Sequence, residues 1–316
     1  MNWNGVMPAM TTCFRPDLEI DHAFMARHAR WMLRNGCSGL VLLGSLGESS
    51  TLTLQEKQSI LENIVHHCQG HAPIVAAVSA LSTQEAVALA RIAATAGCDG
   101  LMILPPYVYR GDWREMKAHI AAVLRATPLS SMLYNNPVAY GTDFLPEHIQ
   151  ELALEHENLH AVKESSTDVR RIAAIRSLIE DRLRIFVGVD DAIVEGVAAG
   201  AAGWIAGLVN ALPCESVALF RLANQGRQNV ESNRAAFALY RWFLPLLRMD
   251  TVPKFIQLIK LVQQELGVGN ARVRPPRLEL AGEELAQALR SIHHALEHRP
   301  ALDQTTAPVA LESIPI

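Results

Sequence analysis

Eight short runs along the chain are apolar at consecutive positions rather than at alternate ones. They fall at 5–12 (GVMPAMTT), 39–44 (GLVLLG), 73–80 (PIVAAVSA), 100–106 (GLMILPP), 130–136 (SSMLYNN), 159–166 (LHAVKESS), 184–190 (RIFVGVD) and 203–209 (GWIAGLV). A strand with water on one face alternates, whereas a strand covered on both faces does not, so these runs point to a buried parallel sheet. Between them lie amphipathic stretches with helix start signals. Thr53 precedes LQEKQSILENIVHH, and Ser82-Thr83 precede QEAVALARIAATAG, which stops at Gly97; each carries an acidic residue in its first turn.

Eight strand–helix units within residues 1–225 predict an α/β fold, a closed TIM (β/α)8 barrel, whose usual length is about 250 residues. A doubly wound open sheet is the competing arrangement. It would carry a glycine-rich phosphate loop after its first strand, and PAMTTCFRPD is no such loop. Past residue 225 the strand runs cease. NRAAFALYRWFLPLL, PKFIQLIKLVQQELG and AGEELAQALRSIHHALEH read as helices. The expected organisation is a catalytic barrel over 1–225, a C-terminal helical extension over 226–298 and a tail over 299–316.

Composition narrows the class of function. Half of the 316 residues are hydrophobic, 19% are charged and the net charge is -4. Such a chain can bury a large core, and it offers no basic field for nucleic acid or an anionic membrane. The uncharged run between Glu195 and Glu215 approaches the length of a membrane span. Its four glycines, Asn210 and Pro213 divide it into helix, turn, strand and loop instead, and its GxxxG spacings carry little weight in that setting. The N-terminus does not read as a signal peptide. Five scattered cysteines without CxxC spacing argue against a disulfide framework or a zinc site and fit a cytoplasmic chain. His294 and His298 are four apart but lack the HExxH pattern, and Asp190-Asp191 have no histidine companion, so no metal is expected.

In such a barrel the chemistry sits at the carboxyl ends of the strands. Those ends read Gly44-Ser45-Leu46-Gly47-Glu48, Pro105-Pro106-Tyr107, Tyr134-Asn135-Asn136-Pro137, Lys163-Glu164-Ser165-Ser166 and Gly188-Val189-Asp190-Asp191. Lys163 stands out because it follows Ala161-Val162 inside an apolar run. Burying an ammonium is costly, and a lysine so placed tends to shed its proton. A neutral amine can attack a ketone and form a Schiff base. The plainer alternative is a strand-end lysine paired to Glu164 or another carboxylate. The GSLGES turn, with close-folding glycines, backbone N–H groups and the Ser45 hydroxyl, suits a small carboxylate, or it is an ordinary glycine turn. Tyr134 is either a proton-passing phenol or a core tyrosine. Taken together, the three features suit 2-oxo acids.

The order GSLGES, LPPYVY, YNNPVAYG, VKES and GVDDA resembles the dihydrodipicolinate synthase / N-acetylneuraminate lyase family, Schiff-base barrels acting on pyruvate or substituted 2-oxo acids. The resemblance implies that Lys163 forms the imine, so that no separate cofactor is needed. It implies that Tyr134 relays protons, that Ser45 joins the relay and helps hold the carboxylate, and that Tyr107 reaches into a neighbouring protomer's site. A homo-oligomer, dimer or tetramer, follows from the same resemblance. Gly44, Leu46, Gly47 and Glu48 are then the substrate-facing turn, Gly188 and Asp190 lie toward the substrate's far end, and the Ile205 backbone lies beside the lysine. Two departures matter. Leu46 replaces the turn's second hydroxyl. Ala139 stands where the lysine-forming synthases place an arginine for the aldehyde substrate's carboxylate. YNNPVAYG with VKESS and GVDDA also resembles a subgroup that opens a hydroxypyrroline carboxylate, with loss of water and ammonia. The expected function is therefore a Schiff-base lyase or hydro-lyase on a small 2-oxo acid or cyclic imino acid. A 2-keto-3-deoxy sugar acid dehydratase or aldolase is the alternative, true synthase activity comes lower, and a catalytically weak ligand-binding paralogue is the reading from another class.

Overall fold

The computed structural model describes residues 1–302 and 309–314; residues 303–308 and 315–316 of the expected tail lie outside the described residues. The eight strands are β1 (Gly5–Pro8), β2 (Leu40–Leu42), β3 (Ile74–Val78), β4 (Gly100–Ile103), β5 (Ser130–Asn135), β6 (Leu159–Glu164), β7 (Arg184–Val187) and β8 (Gly203–Ala206). All of the pairings between them are parallel, in the order β1-β8-β7-β6-β5-β4-β3-β2. The ring closes between β1 and β2 through a parallel bridge from Ala9 to Val41 and a 2.8 Å bond from the Met10 N–H to the Val41 carbonyl. The barrel expected from the sequence is the fold that forms. Every strand starts within a residue of its expected start, and every expected run overshoots at its carboxyl end. There the chain leaves the sheet to build the loops of the active face while staying buried, so hydropathy alone does not mark the exit.

The helices are α1 (His22–Arg34), α2 (Leu54–Cys68), α3 (Thr83–Ala96), α4 (Trp113–Ala126), the single turn α5 (Pro137–Tyr140), α6 (Pro146–Glu155), α7 (Arg170–Ile179), α8 (Ile193–Ala198), α9 (Pro213–Gly226), α10 (Val230–Leu247), α11 (Phe255–Glu265) and α12 (Gly282–Glu297). Thr53 caps α2 in a reciprocal pair: the Glu56 N–H donates to Thr53 Oγ1 at 3.2 Å, and the Thr53 N–H donates to the Glu56 carboxylate at 2.8 Å. Ser82 caps α3, and Gly97 ends it at φ +91°, a conformation glycine adopts without a Cβ penalty. The uncharged run before Glu215 divides into α8, β8 and the start of α9, and no described helix is long and apolar enough to cross a membrane.

Two hydrophobic layers result. The outer one lies between strands and helices and continues without a break into α10, α11 and α12 through Phe243, Ile259 and Ile292. The inner one fills the barrel: Met7, Val41, Val75, Ala77, Met102, Met132, Tyr134, Ala161, Phe186 and Ile205, with Trp3 plugging it. Inward residues recur every second position along a strand. Met132 is followed inward by Tyr134, Ala161 by Lys163, and Phe186 by Gly188, each one step nearer the carboxyl end.

Candidate active site

Lys163 sits on β6 opposite Tyr134 of β5 on one side and Phe186 of β7 on the other. Its side chain is 6% exposed, and its Nζ lies 4.1 Å from the centre of the Tyr134 ring. Among the described residues no carboxylate comes within ion-pair distance of it. Glu164, its expected partner under the plainer alternative, points to the other face of the strand, where it accepts from Asn135 Nδ2 at 3.0 Å and from the Ser166 N–H at 2.6 Å. Space for the lysine comes from Gly188. A side chain there would begin 2.0 Å from Ser165 Oγ and 2.4 Å from Lys163 Cε, so any larger residue would displace the lysine. Ser165, two residues past Lys163 on the same face, is buried with a hydroxyl that has no protein partner. A buried hydroxyl without a partner is costly unless something else meets it.

Tyr134 is buried beneath this pocket. Its hydroxyl accepts from Asn136 Nδ2 at 3.0 Å. Asn136 also caps α5, accepting from the Ala139 N–H at 3.0 Å. One side chain thus fixes both the phenol and the short helix after it. That helix brings Tyr140 back over the strand ends, where its hydroxyl makes a short hydrogen bond with Ser45 Oγ. The Tyr140 ring meets Tyr134 at 5.8 Å and Tyr107 at 5.5 Å, both edge-on. Burial first, and the neighbouring phenols Tyr134 and Tyr107 next, hold Tyr140 well above the usual phenol range, so it stays neutral. Ala139 is exposed beside it and contributes no charge. Arg110 packs against the end of α5, its Nε 2.2 Å from where a Gly141 side chain would begin.

The Gly44–Glu48 turn closes on itself. The Glu48 N–H donates to the Ser45 carbonyl at 3.0 Å, and the Ser49 N–H to the Gly44 carbonyl at 3.4 Å. This removes two N–H groups from any carboxylate cradle. Thr12 Oγ1 donates to the Gly47 carbonyl at 2.7 Å, and Leu46 is buried. Glu48 is fully buried and faces away from the pocket. It accepts from Lys260 Nζ at 2.5 Å and from the Arg274 N–H at 3.0 Å, and Lys260 itself is 1% exposed. Burial pushes the Lys260 ammonium down in pKa, and Glu48 pulls it back up. Glu48 thus anchors the turn to α11. Leaving one partner of such a pair unpaired typically costs about 3–5 kcal/mol. Lys260→Ala leaves Glu48 the Arg274 N–H and the Arg277 guanidinium 3.9 Å away, and is expected to lose up to about that much stability in urea unfolding, while Lys260→Met combined with Glu48→Gln recovers most of it. A single variant as stable as the parent would show that the pair is not an anchor.

Asp190 has a similar internal role. Its carboxylate accepts from Trp204 Nε1 at 3.0 Å and from the N–H groups of Gly207 and Leu208 at 2.9–3.1 Å, and it is fully buried. Burial raises it to about 6, against the lowering effect of those donors. It holds the end of β8, beside the buried Ile205. A second carboxyl, Asp250, lies in the turn after α10. It packs on Gly207, with Oδ1 2.5 Å from where a side chain there would begin. Burial first and the charge of Asp190 next raise it well above the usual carboxylate range.

The structure therefore gathers Lys163, Tyr134, Ser45, Gly188 and Tyr107 at one end of the barrel. It turns the carboxylates of Glu48 and Asp190 into the protein. Sequence reasoning missed Ser165, Tyr140 and Asp250. Ser165 was detectable from the two-residue period after Lys163. Tyr140 had a signal in the Asn-Pro start and glycine stop of a one-turn helix. Asp250 had none, because it arrives from the C-terminal helices through tertiary packing. His294, Glu297 and His298 bring possible metal-ligand atoms within 4.8 Å of one another, but all three are exposed on or just past α12.

A profile of the dihydrodipicolinate synthetase family matches residues 2–295. The chain is 31% identical over 317 residues to a 4-hydroxy-tetrahydrodipicolinate synthase of Xanthomonas axonopodis pv. citri, covering 99% of this chain and 97% of that one. It is 30% identical over 296 residues to the synthase of Nitrosococcus oceani, covering 91% and 98%. Among solved structures, a putative dihydrodipicolinate synthetase from Pseudomonas aeruginosa superposes with a TM-score of 0.86 at 26% identity, over 93% of this chain and all of that one.

Proposed function

Because this chain belongs to the dihydrodipicolinate synthetase family, whose members are lyases, we propose that it is a lysine Schiff-base lyase or hydro-lyase acting on a small 2-oxo acid or cyclic imino acid. The reaction that suits the site best is deamination of a 4-hydroxy-1-pyrroline-2-carboxylate. The observation that carries the reading is Lys163 in the lumen, unpaired by any described carboxylate, with the Tyr134 ring 4.1 Å from its Nζ. Lys163 attacks the imine carbon C2 of the substrate, and the ring opens to leave a free amine on C5. Loss of a proton from C3 and of the C4 hydroxyl as water gives a conjugated imine. A proton shift from C5 to C3 gives an enamine at C4–C5, which tautomerises to an imine at C5. Two waters then hydrolyse the C5 and Lys163 imines and release ammonia, 2-oxoglutarate semialdehyde and the free lysine, for a net uptake of one water. A neutral carboxyl such as Asp250 suits protonation of the departing hydroxyl. The same group supports dehydration of a 2-keto-3-deoxy sugar acid, which is the second reading. In either case the imine on Lys163 takes the place of a cofactor, and no metal is needed. Exposed Leu81, Val108, Tyr109 and Val138 lie at the ends of β3, β4 and β5, and they support assembly of a homo-oligomer on this face.

The relatives named as synthases do not carry their activity over, because Ala139 supplies no guanidinium for a second carboxylate. A buried carboxylate without its charged partner loses on the order of 3–5 kcal/mol, or two to four decades in affinity. Condensation of pyruvate with aspartate semialdehyde is expected to be negligible, and hydroxypyrroline carboxylate is expected to turn over with ammonia release. Both assays run on one preparation, with Arg110→Ala beside the parent, because Arg110 already lies against α5. Robust condensation would overturn the reading, and its loss in Arg110→Ala would name the substitute cation.

A further inference from the structure

We propose that Tyr140 is the phenol that completes the proton relay of this site, joining Ser45 to Tyr134 within a single chain. The proposal rests on the Schiff-base reading and adds to it a residue that acts through its neighbours. The resemblance places a neighbouring protomer's Tyr107 in the relay, and Leu46 removes a hydroxyl from the turn that would meet it. In the structure the hydroxyl next to Ser45 Oγ is that of Tyr140. The Tyr140 ring meets those of Tyr107 and Tyr134 of the same chain edge to face, at 5.5 Å and 5.8 Å. Tyr140 packs on the inner barrel cluster that contains Tyr134.

Three features suit the role. The Tyr134 hydroxyl already accepts from Asn136, so its own proton is free to move. A hydroxyl both donates and accepts, so a neutral phenol bonded to a serine can take one proton while giving up another. The cap that Asn136 places on α5 ties the position of Tyr140 to that of Tyr134. During turnover the C3–H bond of the Lys163 imine breaks. Its electron pair becomes the C2=C3 bond of the enamine, and the proton goes to the Tyr134 oxygen as Tyr134 gives up its own phenol proton. That phenol proton passes through the Tyr140 and Ser45 hydroxyls, each losing one proton as it gains one, toward solvent. No oxidant, metal or second substrate is required.

The test uses the full-length protein with pyruvate as probe in deuterium oxide. Borohydride trapping, read by mass, reports imine formation, and loss of the pyruvate methyl signal by NMR reports C3 proton exchange. Tyr140→Phe keeps the ring and its packing. It is expected to trap pyruvate with the parent's concentration dependence while exchange falls by about 10²–10⁴-fold, the usual weight of an acid–base contribution. Exchange at the parent rate overturns the proposal. A parallel loss of trapping and exchange also overturns it, because that is the mark of a structural role. Mixed oligomers of Tyr140→Phe and Lys163→Ala chains test the single-chain claim. Lack of recovery supports it, and recovered exchange overturns it, since Tyr140 would then serve a neighbour's lysine. Parent protein that traps no pyruvate would instead remove the Schiff-base reading, and the relay with it.

Discussion

Lys163→Ala is expected to leave no turnover and no borohydride-trapped adduct on the peptide that carries position 163. Lys163→Arg should be equally inactive, because a guanidinium stays protonated and does not attack a carbonyl. The lumen around Lys163 is apolar, formed by Ala161, Phe186, Met132 and Tyr134. A lysine held at 6% exposure in such surroundings, with no described carboxylate within ion-pair distance, is a burden on folding. Lys163→Met, of similar volume, should therefore unfold at the same or a higher urea concentration than the parent while losing all activity. Equal or greater stability with no activity separates a catalytic lysine from a structural one. Trapping that persists in Lys163→Ala would move the imine to another amine, located by mass on the trapped peptide.

The second large effect is expected at Tyr134. Tyr134→Phe removes one oxygen and keeps the ring over Lys163 Nζ. Turnover should fall by about 10²–10⁴-fold, with imine trapping retained in part, because the amine still attacks while the protons move poorly. The Asn136 amide loses its acceptor in this variant. Asn136→Ala is a useful companion for that reason: it should weaken α5 and shift both tyrosines, whereas Tyr134→Phe leaves the cap on α5 in place. Normal turnover in Tyr134→Phe would make the phenol a core residue and would leave the lysine without its proton partner.

Much of the barrel was legible in the residues because a strand covered on both faces must be apolar throughout, and few other structures ask for that pattern eight times. The helix caps Thr53, Ser82 and Gly97 were legible for a local reason, since a cap is a bond between residues close in sequence. Lys163 was legible as a cost: a lysine inside an apolar run needs a purpose. The two-residue period carried that purpose inward, and Tyr134 and Gly188 followed by the same count.

What the chain could not show locally is where a carboxylate or a hydroxyl ends up when its partner lies far along the sequence. Glu48 stands in a turn that reads as substrate-facing, yet Lys260, 212 residues away, claims its oxygen. Asp190 reads as a ligand group, yet Trp204 and the N–H groups at the end of β8 occupy it. Tyr140 lies six residues past Tyr134, and only the folding of α5 over the strand ends sets it against Ser45. Backbone bonding and burial repeat with short periods, so sequence alone determined the strands, the helices and the inward lysine. Side-chain pairing across the barrel depends on which distant elements pack together, so only the tertiary structure decided which polar groups face the pocket and which hold the protein in place.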